Sequence, residues 1–219
     1  MKKTNYYIKA RLFPTIICSI PILSLYFFAF SKEVQEFIGF VDGYKWASDI
    51  TISVALIYLL VQINRFISKE IFQRIYFKDE KQMPTTNYLL NSDKTLALSI
   101  KQQIRSKINS DFNIIIQDKE IEDNDDEERK QIINAVAQIR NNTRGNVLLL
   151  QHNIEFGFMR NLIGSSLLAF LISGFSIYYF HELEINLVAF KINTFLSFIY
   201  FIPVLFSKLI IGRYGHYYA

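Results

Sequence analysis

No charged residue occurs between Leu12 and Phe30, and none between Leu162 and Phe180. A bilayer's hydrocarbon is ~30 Å thick and an α-helix rises ~1.5 Å per residue, so a crossing helix needs roughly 17 to 25 mostly apolar residues. Both stretches meet that requirement. Two others are less uniform. Trp46 to Ile63 carries Asp49 near its start and leads into Arg65, whose stem can snorkel, and Leu187 to Ile211 carries Lys191 and Lys208 near its ends. The expectation is an all-α integral membrane protein with four transmembrane helices. Composition agrees, since 51% of the 219 residues are hydrophobic and mean hydropathy is +0.16. With 8 Gly and 4 Pro the chain is neither collagen-like nor broadly disordered. A single cysteine, Cys18, excludes an intrachain disulfide framework and a thiolate zinc site.

Pro14 and Pro21 are expected to kink the first span or mark its first turn. The basic n-region before that span also fits a cleaved signal peptide, but the run is long and aromatic up to the proposed cut, which favours a retained helix. Orientation follows from the flanks, because cytoplasmic loops retain Lys and Arg. Lys2, Lys3, Lys9 and Arg11 precede the first span, and Arg65, Lys69, Arg74, Lys78 and Lys81 follow the second. Arg160 precedes the third, and Lys208 with Arg213 closes the fourth, while His181 to Asn186 has no Lys or Arg. Both termini and the central insert are therefore expected in the cytoplasm. The chain divides into a membrane hairpin at 1–63, a mostly helical cytoplasmic module at 64–161 and a second membrane hairpin at 162–219.

Within the module, Ile67, Ile71 and Ile75 recur at helical spacing and predict that the second span continues inward until Pro84 ends it. Ser92 or Asp93 reads as the N-cap of a helix with Leu96, Ile100, Ile104 and Ile108 on one stripe and Lys101, Arg105 and Lys107 off it. Phe112 to Ile116 fits a short strand or a buried turn. The acidic run from Asp118 to Glu128 is expected to be solvated and to enter a helix N-terminus, where acids suit the macrodipole. It lacks the glycine turn and closing Glu of an EF-hand loop. The next helix carries Ile132, Val136 and Ile139 on one face and stops near Gly145, and a last one starts near Val147 and runs into the third span. The apolar stripes suffice for only a small core, so support from other copies or a partner is expected.

No nucleophile, metal cluster or phosphate cradle is visible as local sequence, and no catalytic, cofactor or metal residue is assigned; the chain is expected not to be an enzyme. His152 and Glu155, three apart, are at best half of a metal site. Basic residues are interleaved with acids, so nucleic acid is not an expected partner. Polar groups near hydrocarbon are costly unless paired. His152, Asn153, Glu155, Arg160 and Asn161 therefore form a candidate collar that couples the module to the third span, with plain snorkelling and solvation as the alternative. Asp49 and Lys191, both just inside the outer boundary, form a candidate ion pair between the second and fourth spans. Ser165, Ala169 and Ser173 recur every four residues with Gly157 two turns earlier, a small-residue face for close helix packing within one chain or between chains.

Two spans, a helical insert and two more spans, with Met83-Pro84-Thr85-Thr86 and Asn153-Ile154-Glu155-Phe156-Gly157-Phe158 at the insert's ends, resemble small multi-span membrane proteins of bacterial antiphage defence operons. That resemblance implies an inner-membrane effector or sensor beside a soluble partner. The functional expectation is a non-catalytic, homo-oligomeric effector whose module senses a signal and rearranges the spans, with a pore as one outcome. The alternatives are an anchor that recruits a soluble enzyme and, less well supported, a small transporter.

Overall fold

The computed structural model describes residues 2–30, 45–78, 81–116, 125–143 and 145–217. The described residues are overwhelmingly helical, and none of them lies in a strand. Phe112 to Ile116 is the end of a helix followed by irregular chain, in which Ile116 is buried.

Helix forms further upstream than the apolar run suggests. α1 (Thr4–Ile17) and α2 (Ile20–Phe30) are two halves of one rod bent by 42°. Pro21, in the first turn of α2, supplies no N–H to the turn before it, and the chain unwinds at Cys18 and Ser19. The expected kink is thus present. α3 (Lys45–Ile67) continues through wide π-type turns at Ser68–Gln73 to Phe77, where Lys78 adopts a left-handed conformation with φ 42 and caps the end. Pro84 does not end this helix, contrary to expectation; it opens the next, α4 (Pro84–Leu89), because a first-turn position needs no N–H donor.

α5 begins later than its expected cap, at Leu98, and ends at Phe112. Asp93 instead accepts the Thr95 N–H at 2.8 Å, which turns the chain before the helix begins. α6 (Asp125–Asn142) starts inside the acidic run; residues 118–124 of that run lie outside the described residues. α7 (Val147–Leu183) is one continuous rod, capped by Asn146, whose Oδ1 accepts from the N–H groups of Leu148 and Leu149. α8 (Leu187–Leu205) contains Pro203 and is followed, after Phe206, by α9 (Ser207–Tyr217). The fourth apolar stretch is therefore two helices, since Pro203 cannot donate to the preceding turn.

α7 and α8 are long and apolar enough to cross a bilayer, and the bent pair α1–α2 makes a third such element. The fourth expected crossing falls on α3, where the side chains of residues 45–52 lie outside the described set. The exterior of these helices is apolar: Phe27 is 73% exposed, and Phe66, Leu171, Phe198 and Leu205 also face outward. Small and polar side chains are buried between them, among them Thr15, Asn64, Ser165, Ser173 and Asn193. That distribution suits a solvent of hydrocarbon, which cannot drive apolar side chains inward.

α7 is the axis on which the other helices pack. Cys18, Ala169, Leu196 and Tyr200 join α1, α7 and α8, while Phe72, Phe77, Ile163 and Ile211 join α3, α7 and α9. The module has its own core of Leu89, Leu90, Ile108, Ile116, Ile132 and Ala135, with Val136 and Ile139 packed against it. The stripe on the inward extension of α3 is rotated: Ile71 and Ile75 face outward while Ser68 and Phe72 are buried against α7. On α5 the stripe holds in its second half, where Ile104 and Ile108 join the module core, while Ile100 is exposed and Lys101 and Arg105, expected off the stripe, are buried.

Candidate functional site

The prolines of the first span each leave a carbonyl without its usual helical donor, and another helix supplies one. Pro14 has no N–H for the Ala10 carbonyl four residues back, to which Asn161 Nδ2 of α7 donates at 2.6 Å. Pro21 leaves the Ile17 carbonyl in the same state, and Tyr200 of α8 donates its hydroxyl there, also at 2.6 Å. Thr15 Oγ1 bonds the Arg11 carbonyl at 2.9 Å and accepts from Asn64 Nδ2 of α3 at 3.0 Å. Further along the bundle, Asn193 Nδ2 donates to Ser24 Oγ at 3.1 Å. The broken first span is thus fastened to each neighbour by a polar side chain, which is how irregular backbone persists at membrane depth.

Fastening leaves acceptors over. Asn64 Oδ1, Asn161 Oδ1, Asn193 Oδ1, Ser165 Oγ and Ser173 Oγ are buried and have no hydrogen-bond partner among the described residues. They belong to α3, α7 and α8, and with Thr15 and Ser24 they form a polar seam between the helices. Buried polar atoms without partners are expensive in a low-dielectric interior, so a closed seam stores an incentive to open or hydrate.

Gly157, Ser165, Ala169 and Ser173 are buried inside one chain, so the small-residue face packs intramolecularly. A Cβ on Gly157 would stand 2.9 Å from Tyr6 Oη and 3.1 Å from Ala10 Cβ, which places α1 directly against that face. A residue outside the stripe is tighter still. At Gly164 a Cβ would lie 2.1 Å from Ser68 Oγ, so α3 and α7 touch through it.

The collar separates into two groups. Arg160 is buried and donates to Gln73 Oε1 at 2.6 Å, and Asn161 reaches α1 as described, so these two tie helices together. Glu155 accepts from Gln151 Nε2 at 3.2 Å on its own helix, Asn153 is exposed and His152 is half-buried. His152, Asn153 and Arg160 share a cavity of about 660 Å³ between the module and the membrane helices. Lys191 is exposed, and the Asp49 side chain with which it was expected to pair lies outside the described residues. Among the described residues no three His, Cys, Asp or Glu side chains gather around a common point.

The module holds an ion pair that helical spacing conceals. Arg105 of α5 pairs with Glu128 of α6, both nearly buried, and also donates to the Leu89 carbonyl at 2.5 Å. Lys101 donates to the carbonyls of Leu90 and Asp93. Both cations thus meet carbonyls at the C-terminal end of α4, the negative end of its dipole. Glu128, expected to be solvated, is the partner that compensates Arg105 and also accepts the Asn91 N–H at 3.1 Å. The inward extension of α3 also meets α9, at the 2.7 Å bond between the Tyr76 and Ser207 hydroxyls.

Comparison with protein families, curated proteins and solved structures finds no match for this chain.

Proposed function

We propose that the chain is a non-catalytic, four-span membrane effector in which the helical module controls a polar seam through the bilayer. The observation that carries this reading is the set of polar atoms on Asn64, Asn161, Asn193, Ser165 and Ser173 that have no partner among the described residues, inside a bundle whose exterior is apolar. Separation of α1 and α2 from α7 and α8 gives these groups water as partner, and a water-lined gap between spans conducts ions. The continuous rod α7 supports the coupling, because it begins within the module at Val147 and carries Asn161, Ser165 and Ser173 into the bundle. In this reading α3 is the remaining span, its Val54, Leu56, Tyr58 and Leu59 facing lipid. Both termini and residues 64–161 lie in the cytoplasm, and several copies assemble in the inner membrane of a bacterium. A role in antiphage defence is what the architectural resemblance adds.

Vesicles of neutral and anionic lipid loaded with a fluorescent potassium indicator test it. Vesicles containing the full chain are expected to leak, and Asn193→Leu, which makes the seam apolar, is expected to slow leakage at equal incorporation. Equal leakage with and without protein, across a range of protein-to-lipid ratios, would overturn the pore. A second reading, an anchor that recruits a soluble enzyme, is favoured by the apolar side chains Leu98, Ile115 and Leu148, which the module exposes. Lysate proteins retained by the wild type and lost with Leu98→Glu would support it.

A further inference from the structure

We infer that the cavity between the module and the inner ends of the membrane helices receives an acyl chain of a bilayer lipid. Its volume of about 660 Å³ is that of a small-molecule site, and both parts of the chain wall it. Tyr6 and Phe156 belong to helices that enter the bundle, whereas Tyr88, Leu96, Val136 and Ile139 belong to the module.

The small core of the module is what calls for an apolar occupant. Ile104, Val136 and Ile139 pack against that core and also line the cavity, and all three are only half-buried. Part of their apolar surface is therefore left to whatever fills the cavity. A second cavity of about 430 Å³ shares Ile104, Ile139 and Thr143 with the first and adds Ile108 and Phe112. The apolar surface thus runs along the α5 and α6 pair, which suits an extended chain better than a compact ring. Polar side chains are placed differently. Lys69, Arg140 and Asn153 line the cavity and are exposed, so they stand at its mouth, while the buried Arg160 is held by Gln73 and the Phe156 ring. An amphiphile matches this order, with its chain against Val136 and Ile139 and its headgroup among the exposed polar groups.

The bilayer supplies such chains at the inner ends of α1, α3 and α7, at a local concentration that no dissolved amphiphile reaches. A chain that moves from the bilayer into the cavity exchanges one apolar surrounding for another, and it covers isoleucine and valine surface that water would otherwise touch. Mass action then favours the arrangement of module and spans that forms the cavity. The inference rests on the proposed function only in that the apolar helices lie in a bilayer; it does not require the seam to open.

Trp46 is the single tryptophan of the chain, so one replacement clears the background for a reporter. The full chain carrying Trp46→Phe and Tyr88→Trp is placed in vesicles of phosphatidylcholine brominated at the middle of its acyl chains, with unbrominated vesicles as reference. Bromine quenches an indole only on close approach, and mid-chain bromines stay deep in the bilayer unless a chain leaves it for the cavity. Loss of fluorescence is expected at position 88 and, as a second reporter should the first fail to fold, at position 96 in a Trp46→Phe/Leu96→Trp chain. Trp46→Phe/Ser106→Trp places the indole at an exposed site on α5 that lines neither cavity, and its fluorescence is expected to persist. Loss at 88 or 96 with none at 106 supports the site. Unchanged fluorescence at both 88 and 96 overturns it, and so does equal loss at 106, since the module as a whole would then lie in lipid. Vesicle leakage is not read, so a failed pore and a failed lipid site remain distinguishable.

Discussion

At Gly164 the space between two membrane helices is set by the absence of one carbon. A Cβ there would meet Ser68 Oγ at 2.1 Å and the backbone of Asn64 and Ser68 at 3.0 Å, so α3 must move away from α7. Gly164→Ala is expected to destabilise the bundle by ~1–3 kcal/mol, as overpacking generally does. Gly174 has nothing within 4 Å, and Gly174→Ala should leave stability unchanged or raise it slightly. Thermal unfolding of both variants in detergent compares the two positions, and equal melting temperatures would refute the close contact. Tyr200 is a second such residue. Tyr200→Phe removes the donor to the Ile17 carbonyl and is expected to cost about 1 kcal/mol. Pro21→Ala restores an N–H four residues on, so Tyr200→Phe should cost less in that background, and additivity of the two changes would count against the pairing. The buried small residues of α7 were legible because hydrocarbon rewards close approach at regular spacing. Gly164 was not, since its need for space is created by Ser68, almost a hundred positions earlier in the chain.

Most helices of the module were legible, but neither the short α4 nor the way each helix is turned was. Helical periodicity located α5, α6 and α7, and the Val147 start of α7 agrees with the structure. On α5 the stripe is right only in its second half, where Ile104 and Ile108 join the core while Ile100 is exposed, and Lys101 and Arg105 also turn inward. Their acceptors are carbonyls of residues 89, 90 and 93 and the carboxylate of Glu128, which no local spacing reveals. Glu128→Gln strands the Arg105 charge and is expected to destabilise the module by ~3–5 kcal/mol. The paired replacement Arg105→Met/Glu128→Leu removes both charges and is expected to be less harmful. Limited proteolysis of the insert measures this, and greater susceptibility of the double variant than of the single one would exclude a compensated pair.

For the molecule as a whole, the decisive quantity is which side of a membrane each end of α7 occupies. In a Cys18→Ser background, Glu184→Cys is expected to react with a membrane-impermeant maleimide on intact cells, and Arg140→Cys only after permeabilisation. The reverse pattern would invert the topology. Uncharged runs of bilayer length, with Lys and Arg at one set of ends, were determined by the sequence alone, because partition into hydrocarbon and the sidedness of charge act on each segment independently. Tertiary structure decided the rest: that the prolines of the first span are completed by Asn161 and Tyr200, that polar atoms collect along one seam, and that Arg160 is buried among like charges. Those outcomes depend on which distant helices meet, and a donor's value is set by the acceptor it finds.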